Sequence, residues 1–351
     1  MTELAQMLEQ VSDAVSGSTP LSIVGGNSKR GIGREQIGKP ISVSEYSGIV
    51  DYQPTELVVT VRAGTQMAEL REVLAEKNQM LACETPEFDG VATVGGAVAC
   101  AQSGPSRPWS GSIRDQVLGV RLINGKAEHL RFGGQVMKNV AGYDVSRLQV
   151  GAMGAFGILT EVSLKVLPRP ESSKTIRRHL DAATAIGVMN EISMTPLPLT
   201  GACWHDGDLY LRLAGQVSVI DTLVADLEGD VVADDEEFWI ALREQSLPIF
   251  DGTGDLWRFS VRANSAHPKP DGDWLIDWGG ARRWLSGTYQ CDELEQIAQQ
   301  SGGEVTQVRG GDRSAEILPA LPAPHRVMLQ RLKSAFDPGA VFNRGRLYSW
   351  L

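Results

Sequence analysis

Residues 138–168 read KNVAGYDVSRLQVGAMGAFGILTEVSLKVLP. Asp144, Arg147 and four glycines (Gly142, Gly151, Gly154 and Gly157) stand ahead of an alternating run at 158–166. In that run Ile158, Thr160, Val162, Leu164 and Val166 point one way, and Leu159, Glu161, Ser163 and Lys165 the other. This alternation predicts a half-buried strand. The glycines before it lack Cβ atoms, so their backbone can turn tightly and lie against a flat ligand. Taken alone, the segment is also what a glycine-rich turn feeding a core strand looks like.

Working outward, 351 residues suffice for two domains with proper cores. A chain with 42% hydrophobic and 22% charged residues has an ordinary globular composition. Its net charge of −10 argues against nucleic acid as a main partner, because phosphate binding needs a basic surface. No apolar run approaches the roughly 18 residues of a membrane span. The first fifteen residues carry Glu3 and Glu9 and no basic residue, which excludes a signal or transit peptide. Leu4, Met7, Leu8, Val11 and Val15 instead predict an amphipathic docking helix. Cys83, Cys100, Cys203 and Cys291 are widely spaced, which argues against an iron–sulfur cluster and for reduced thiols in a cytoplasmic protein.

Two glycine-rich stretches lie upstream. A short strand at 21–24 empties into Gly25-Gly26-Asn27-Ser28-Lys29-Arg30-Gly31-Ile32-Gly33. Such a loop presents several backbone N–H groups at one point, with the Ser28 hydroxyl and Lys29 charge nearby, and suits a phosphate; a flexible surface loop would read the same way. It lacks the GxGxxG spacing of a dinucleotide fold. Strands at 41–43, 49–50 and 57–61 precede a helix begun at Gly64-Thr65 with the stripe Met67, Leu70, Val73, Leu74. The second stretch, Ala92-Thr93-Val94-Gly95-Gly96-Ala97-Val98-Ala99-Cys100, permits close approach of backbone to a ligand or simply tight helix packing. Residues 104–119, GPSRPWSGSIRDQVLG, lead into a strand at 117–123 with Val117, Gly119, Arg121 and Ile123 on one face, and Asn124-Gly125 predicts a hairpin.

Beyond Pro168-Arg169-Pro170 the order of predicted elements is βαββαβ, a ferredoxin-like unit. Further strands are expected at 256–261, 274–278 and 304–308, with helices at 236–245 and 292–301. In the first of these strands Trp257, Phe259 and Val261 oppose Arg258, Ser260 and Arg262. Arg258 is therefore either a solvent-facing side chain or a ligand for a substrate carboxylate. A helix at 325–336 ends at Asp337-Pro338-Gly339.

Together these stretches resemble the flavin oxidases of the vanillyl-alcohol oxidase type, the p-cresol methylhydroxylase FAD-binding fold. The carriers are residues 142–168, the loop at 25–33, Thr93-x-Gly95-Gly96, the Gly-x-x-Arg-Asp-x-Val-x-Gly pattern at 111–119, and the Asp-Pro-x-x-x-Phe-Asn-x-Gly tail at 337–345. The resemblance implies an α+β chain: a two-lobed FAD-binding domain at 1–170, an antiparallel-sheet cap with ferredoxin-like order at 171–324, and a return to the first domain at 325–351. It implies FAD contacts from Gly25, Gly26, Asn27, Ser28 and Lys29, from Thr93, Gly95, Gly96 and Ala97, from Gly111 and Ser112 with Asp115 orienting their loop, and from Gly157, Ile158 and Asn343. Members with covalent flavin carry a histidine after the paired glycines. Asn27 and Ser28 stand there, which implies non-covalent FAD.

The family's 2-hydroxy acid dehydrogenases carry cap motifs His-x-Gly-Asp-Gly-Asn-x-His and Glu-His-Gly. Neither occurs here, and the five histidines are far apart, with no metal-ligand spacing. That combination resembles one branch, the FAD-binding subunits of bacterial glycolate oxidases. It implies oxidation of glycolate to glyoxylate alongside a catalytic flavin subunit and an iron–sulfur subunit, in the cytoplasm or at the inner face of the cell membrane through the complex. The alternatives are a stand-alone FAD oxidoreductase of a small 2-hydroxy acid, with Arg258 as its one candidate catalytic residue, and a flavin-free structural subunit.

Overall fold

A computed structural model of the chain describes residues 2–134, 143–252, 254–267 and 270–351. Gly142, one of the four glycines of the opening stretch, lies outside the described residues. The chain divides into two compact units. One comprises Met1–Gln102, Ser112–Pro168 and Arg313–Leu351, and the other Ser103–Gly111 and Arg169–Asp312.

The first unit is built on a five-stranded antiparallel sheet in the order Ile49–Gln53, Val58–Arg62, Ile158–Lys165, Val117–Ile123, His129–Gly133. The alternating run of the opening stretch is its central strand. The expectation of half-burial therefore needs correction: Leu159 and Ser163 on the polar side are buried along with Ile158, Thr160, Val162 and Leu164. Partial exposure on the polar side remains at Glu161 and Lys165. The Val117–Ile123 strand departs from simple alternation too. Register shifts after Val117 and after Arg121 let Val117, Val120, Leu122 and Ile123 all reach the core.

The second lobe of this unit begins with the helix Glu3–Ser16. Thr2 caps it by accepting a hydrogen bond from the Ala5 N–H, and Met7, Val11 and Ala14 form its buried stripe. The strand Leu21–Val24 then pairs in parallel with Lys39–Ser42. On its other side Leu21 bridges Phe342, so the C-terminal segment lies against the strand that feeds the glycine loop. One apolar core runs through both lobes, from Met7 and Leu70 to Ile158, Val341 and Phe342.

The second unit holds an eight-stranded sheet. Its first four strands lie in the spatial order Asp230–Val231, Ser172–His179, Asp208–Gly215, Leu199–His205, which is the 4-1-3-2 order of a ferredoxin-like unit. The sheet continues through Asp273–Asp277, Arg282–Ser286, Leu256–Ser260 and Glu304–Arg309. The Arg282–Ser286 strand was not expected. Its paired arginines suggest a surface turn, yet both are buried: Arg283 donates to the Gly280, Ala266 and Ser265 carbonyls. The segment 103–111 also departs from expectation. It packs in this unit, where Trp109 lies against the ferredoxin-like core and Trp278 donates to the Gly104 carbonyl at 2.8 Å.

Candidate functional site in the first unit

The glycine turns of the first unit converge on a cleft of about 840 Å³, counted to include space open to solvent. Gly25, Gly26, Asn27, Ser28, Lys29, Thr93, Gly95, Gly96, Gly157 and Asn343 all line it. These stretches lie far apart in sequence, and the fold brings them to one place.

The loop after Leu21–Val24 shapes one wall. A Cβ added at Gly26 would run into the Val91 carbonyl, and one at Gly25 into the Thr93 hydroxyl, so only glycine lets this backbone pass. Asn27 has φ of 58°, a left-handed conformation that asparagine tolerates better than most residues. Among the described residues no hydrogen bond uses the N–H groups of Gly26, Asn27 or Ser28. Three consecutive unspent donors form a concavity for an anion.

The Thr93-Val94-Gly95-Gly96 wall works differently. Thr93 caps the helix Val94–Cys100, accepting from the Gly96 N–H at 3.2 Å. The Val94 and Gly95 N–H groups donate to Thr65 and Ala63 carbonyls at 2.8 Å each. The first turn is therefore already satisfied, and it contributes close approach of backbone rather than donors.

The charge of the lining is the informative quantity. In a chain of net charge −10, the cleft is lined among the described residues by Lys29, Arg30 and Arg346 and by no carboxylate. Arg346 braces the loop from below, donating to the carbonyls of Arg30 at 2.9 Å and of Arg34. Burial pushes its guanidinium below the usual range. Lys29 is buried, donates to the Pro86 carbonyl at 2.9 Å and sits 5.1 Å from the Phe88 ring. Its ammonium thus anchors the loop while adding positive potential. Asn343 ties three segments together: its Oδ1 accepts from the Ile23 N–H at 2.8 Å, and its Nδ2 donates to the Met153 carbonyl.

Three expected FAD contacts of the first unit, Ala97, Ser112 and Ile158, do not line the cleft. Ala97 is fully buried on the core face of the Val94–Cys100 helix, and Ile158 is fully buried at the start of the central strand. Gly111 belongs to the second unit. Asp115 accepts from the Ser112 N–H and hydroxyl at 2.8 and 2.9 Å, so these two residues cap the short Ile113–Gln116 helix and do not line the cleft. Those hydrogen bonds hold the Asp115 carboxyl below its usual range. Arg258 is in the second unit, the region in which the sequence places it.

Residues not expected from sequence also line the cleft, among them Gln149, Met153, Cys100 and Arg346. Gln149 is the most telling. It is buried, and its carboxamide nitrogen has no acceptor among the described residues. A buried donor aimed at a cleft and left unpaired calls for a ligand oxygen. The Cys100 thiol, pushed up by burial, is held protonated and is no nucleophile. No group of three or more potential metal ligands occurs among the described residues.

A cleft with glycine walls, an unpaired N–H nest, three cations and one buried amide donor fits a dinucleotide with a pyrophosphate bridge. Comparisons with known proteins agree. The family described as FAD binding domain matches residues 2–133. The chain is 46% identical over 345 residues, 98% of its length and 97% of the other's, to the glycolate oxidase subunit GlcE of Escherichia coli (strain K12). The chain belongs to the GlcE family. It carries that family's FAD-binding domain and is an oxidoreductase-type flavoprotein chain. Similarity to the glycolate oxidase subunit GlcD of Bacillus subtilis is partial, 31% over 155 residues, 43% of this chain and 33% of that one. A solved alkyldihydroxyacetonephosphate synthase superposes with a TM-score of 0.67 at 15% identity, covering 97% of this chain and 74% of its own, which establishes the shared fold. Among the described residues no helix is long and apolar enough to cross a membrane.

Proposed function

We propose that this chain is the FAD-binding subunit of a multi-subunit glycolate oxidase, holding FAD non-covalently and acting with a catalytic flavin subunit and an iron–sulfur subunit. The observation that carries the cofactor half is the cleft lining, which among the described residues has three cations, no carboxylate and unspent N–H groups at 26–28. The end-to-end likeness to GlcE carries the rest. Bound FAD supplies two-electron chemistry that a polypeptide lacks. The chain's own residues bind and orient it. The 26–28 nest and the cations meet the pyrophosphate, the glycine walls permit close contact, and Gln149 offers one donor. Asn27 and Ser28 provide no imidazole for a covalent bond.

The reading accounts for the absence of the histidine motifs that would act on a substrate hydroxyl. The partner subunit would supply that base, and this chain would relay electrons or complete the partner's site. The complex would work in the cytoplasm or at the inner face of the membrane.

A visible spectrum of the purified chain tests this. Flavin bands should be present, and acid precipitation should release the flavin into the supernatant. Anaerobic glycolate should leave the bands unchanged until the two partner subunits are added. Bleaching of the isolated chain by glycolate would show a dehydrogenase complete in itself. A chain that takes up no FAD would overturn the cofactor assignment.

A further inference from the structure

The second unit carries a cluster of hydrogen-bond donors on one sheet face with too few acceptors. Arg258, on the Leu256–Ser260 strand, is in register with Trp284 on one side and Thr306 on the other. Two residues along, Ser260 is in register with Arg282, which in turn is opposite Asp277. Antiparallel partners share a face, and the pleat repeats every two residues. Arg258, Trp284, Arg282 and Asp277 therefore project to the same side.

Their hydrogen bonds do not balance. Arg282 spends its two terminal nitrogens on the Asp277 carboxylate and the Ser103 carbonyl, and lies 4.0 Å from the Trp278 ring centroid and 5.5 Å from that of Trp284. Its Nε and the indole nitrogen of Trp284 are buried and have no acceptor among the described residues. Arg282 is 6% exposed and Trp284 2%, so bulk water does not serve those nitrogens. Arg258 makes no hydrogen bond or ion pair among the described residues, although it is only partly enclosed. Enclosure and the nearby Arg282 push its guanidinium down to about 10, where it still carries its charge at neutral pH.

The charges do not balance either. Asp277 is fully buried and committed to Arg282 and to the Trp278 N–H at 2.7 Å. Glu304, opposite Ser260, is exposed and attracts Arg258 without forming an ion pair. One cation is left over beside two buried donors, with a partly open approach past Arg258. A bridging water could accept the hydrogen bonds but could not neutralise the charge.

We propose that Arg258, the Trp284 indole N–H and the Arg282 Nε–H form a binding site for a short monocarboxylate in the second unit. A carboxylate matches on three counts. It carries one negative charge against the guanidinium of Arg258, which makes no hydrogen bond or ion pair among the described residues. Its two in-plane oxygens accept from a guanidinium fork. Its flat, small body suits a face whose adjoining side chains are Leu256, Leu275 and Phe250. A phosphate carries more charge and a third oxygen face, and the one further cation beside this face, Arg309 in register with Leu256, already spends two of its nitrogens on the Gly254 and Phe250 carbonyls. The site involves no group of the cofactor cleft, so it stands whether or not the flavin reading does.

The test uses the full chain as purified, titrated with glycolate at constant ionic strength while the indole N–H signals are followed by NMR and the melting temperature by circular dichroism. Sulfate and inorganic phosphate are the comparison probes. Glycolate should shift one indole N–H saturably and raise the melting temperature, and W284F should lose that signal and bind about tenfold more weakly, as for a lost bond to a charged acceptor. R258M should abolish the response while melting, without ligand, at or above the parent temperature, because an unpaired cation has been removed from an enclosed site. Three results would overturn the proposal: no saturable glycolate response, an undiminished response in R258M, or sulfate and phosphate binding as tightly as glycolate. The last would reassign the cluster to inorganic oxyanions.

Discussion

Gln149 sits between Leu148 and Val150 in a glycine-rich stretch, and its side chain is 2% exposed with an unpaired carboxamide nitrogen facing the cleft. A lone buried donor costs stability in the empty protein and recovers it when a ligand oxygen arrives. Gln149→Leu keeps the bulk and removes the donor. The variant should melt no lower than the parent in the absence of FAD and should bind FAD about fivefold more weakly, close to 1 kcal/mol for one neutral hydrogen bond. Equilibrium ultrafiltration of the flavin measures this, and unchanged affinity would mean that the amide faces water. At this scale the glycines were legible in sequence, because only glycine clears the Val91 carbonyl at position 26 and the Thr93 hydroxyl at position 25. Gln149 and Arg346 were not. An amide or a guanidinium in a chain of mixed polarity acquires its role only when the C-terminal segment and the 149–157 turn come together. The available hint was a polar residue amid apolar ones inside a recognised motif.

The helix Ala323–Phe336 and the tail after it form the element that closes the cofactor cleft. Lys333 is 6% exposed and donates to the Ala155 and Phe342 carbonyls at 2.7 and 2.8 Å and to Asp337 at 2.8 Å. Burial lowers its ammonium while Asp337 opposes that shift. Asp337, 1% exposed, also accepts from the Val341 and Phe342 N–H groups, fixing the tail that pairs with Leu21. Lys333→Met would leave that carboxylate buried without its cation, a loss of about 3–5 kcal/mol. Urea unfolding followed by circular dichroism should show it, and adding Asp337→Asn should restore part of the loss; a change under 1 kcal/mol would mean the pair is solvated. A second element makes a pH prediction. His129, on the edge strand His129–Gly133, meets the Thr160 hydroxyl at 2.9 Å, and burial, then Arg121, hold its imidazole below 6.5. A folded value below the unfolded one means that the unfolded chain takes up the proton first. Stability should therefore be unaffected by this group above pH 6.5 and decline as pH falls below it. His129→Gln should flatten that decline in melting experiments between pH 6.5 and 5, and an unchanged slope would exclude the group. Elements with a clean period were legible: the Glu3–Ser16 helix and the ferredoxin-like order both followed from pattern. The Arg282–Ser286 strand was missed because its inward arginines reverse the usual link between charge and exposure.

At the scale of the molecule, five chain segments make two units, so the chain crosses between them four times. The crossing at 102–103 and back at 111–112 is the one a linear reading conceals. The glycine patterns on either side of it belong to the cofactor motif, whereas 103–111 itself contributes to the second unit. There Trp109 packs against the core of Ile176, Met189 and Leu211. Arg107 lies 4.7 Å from the Trp278 ring centroid, and the Ser103 and Gly104 carbonyls accept from Arg282 and Trp278. A boundary drawn at 170 would therefore cut out a second domain with an open tryptophan pocket and two donors deprived of their acceptors. Each lost hydrogen bond costs about 0.5–1.5 kcal/mol, and the lost contacts of the half-buried tryptophan about 1.5–3 kcal/mol, together a large share of a domain's stability. A fragment of residues 169–312 should accordingly unfold without a sharp transition. The same fragment with residues 103–111 joined to its N-terminus through a flexible glycine–serine linker should melt cooperatively, with Trp109→Ala in the linked form falling back toward the bare fragment. Scanning calorimetry of the three proteins decides the matter. Equal, cooperative melting of all three would mean that the unit completes its own core without 103–111. A sharp transition confined to the linked form would show that a motif legible as one cofactor element in sequence is divided between two folding units.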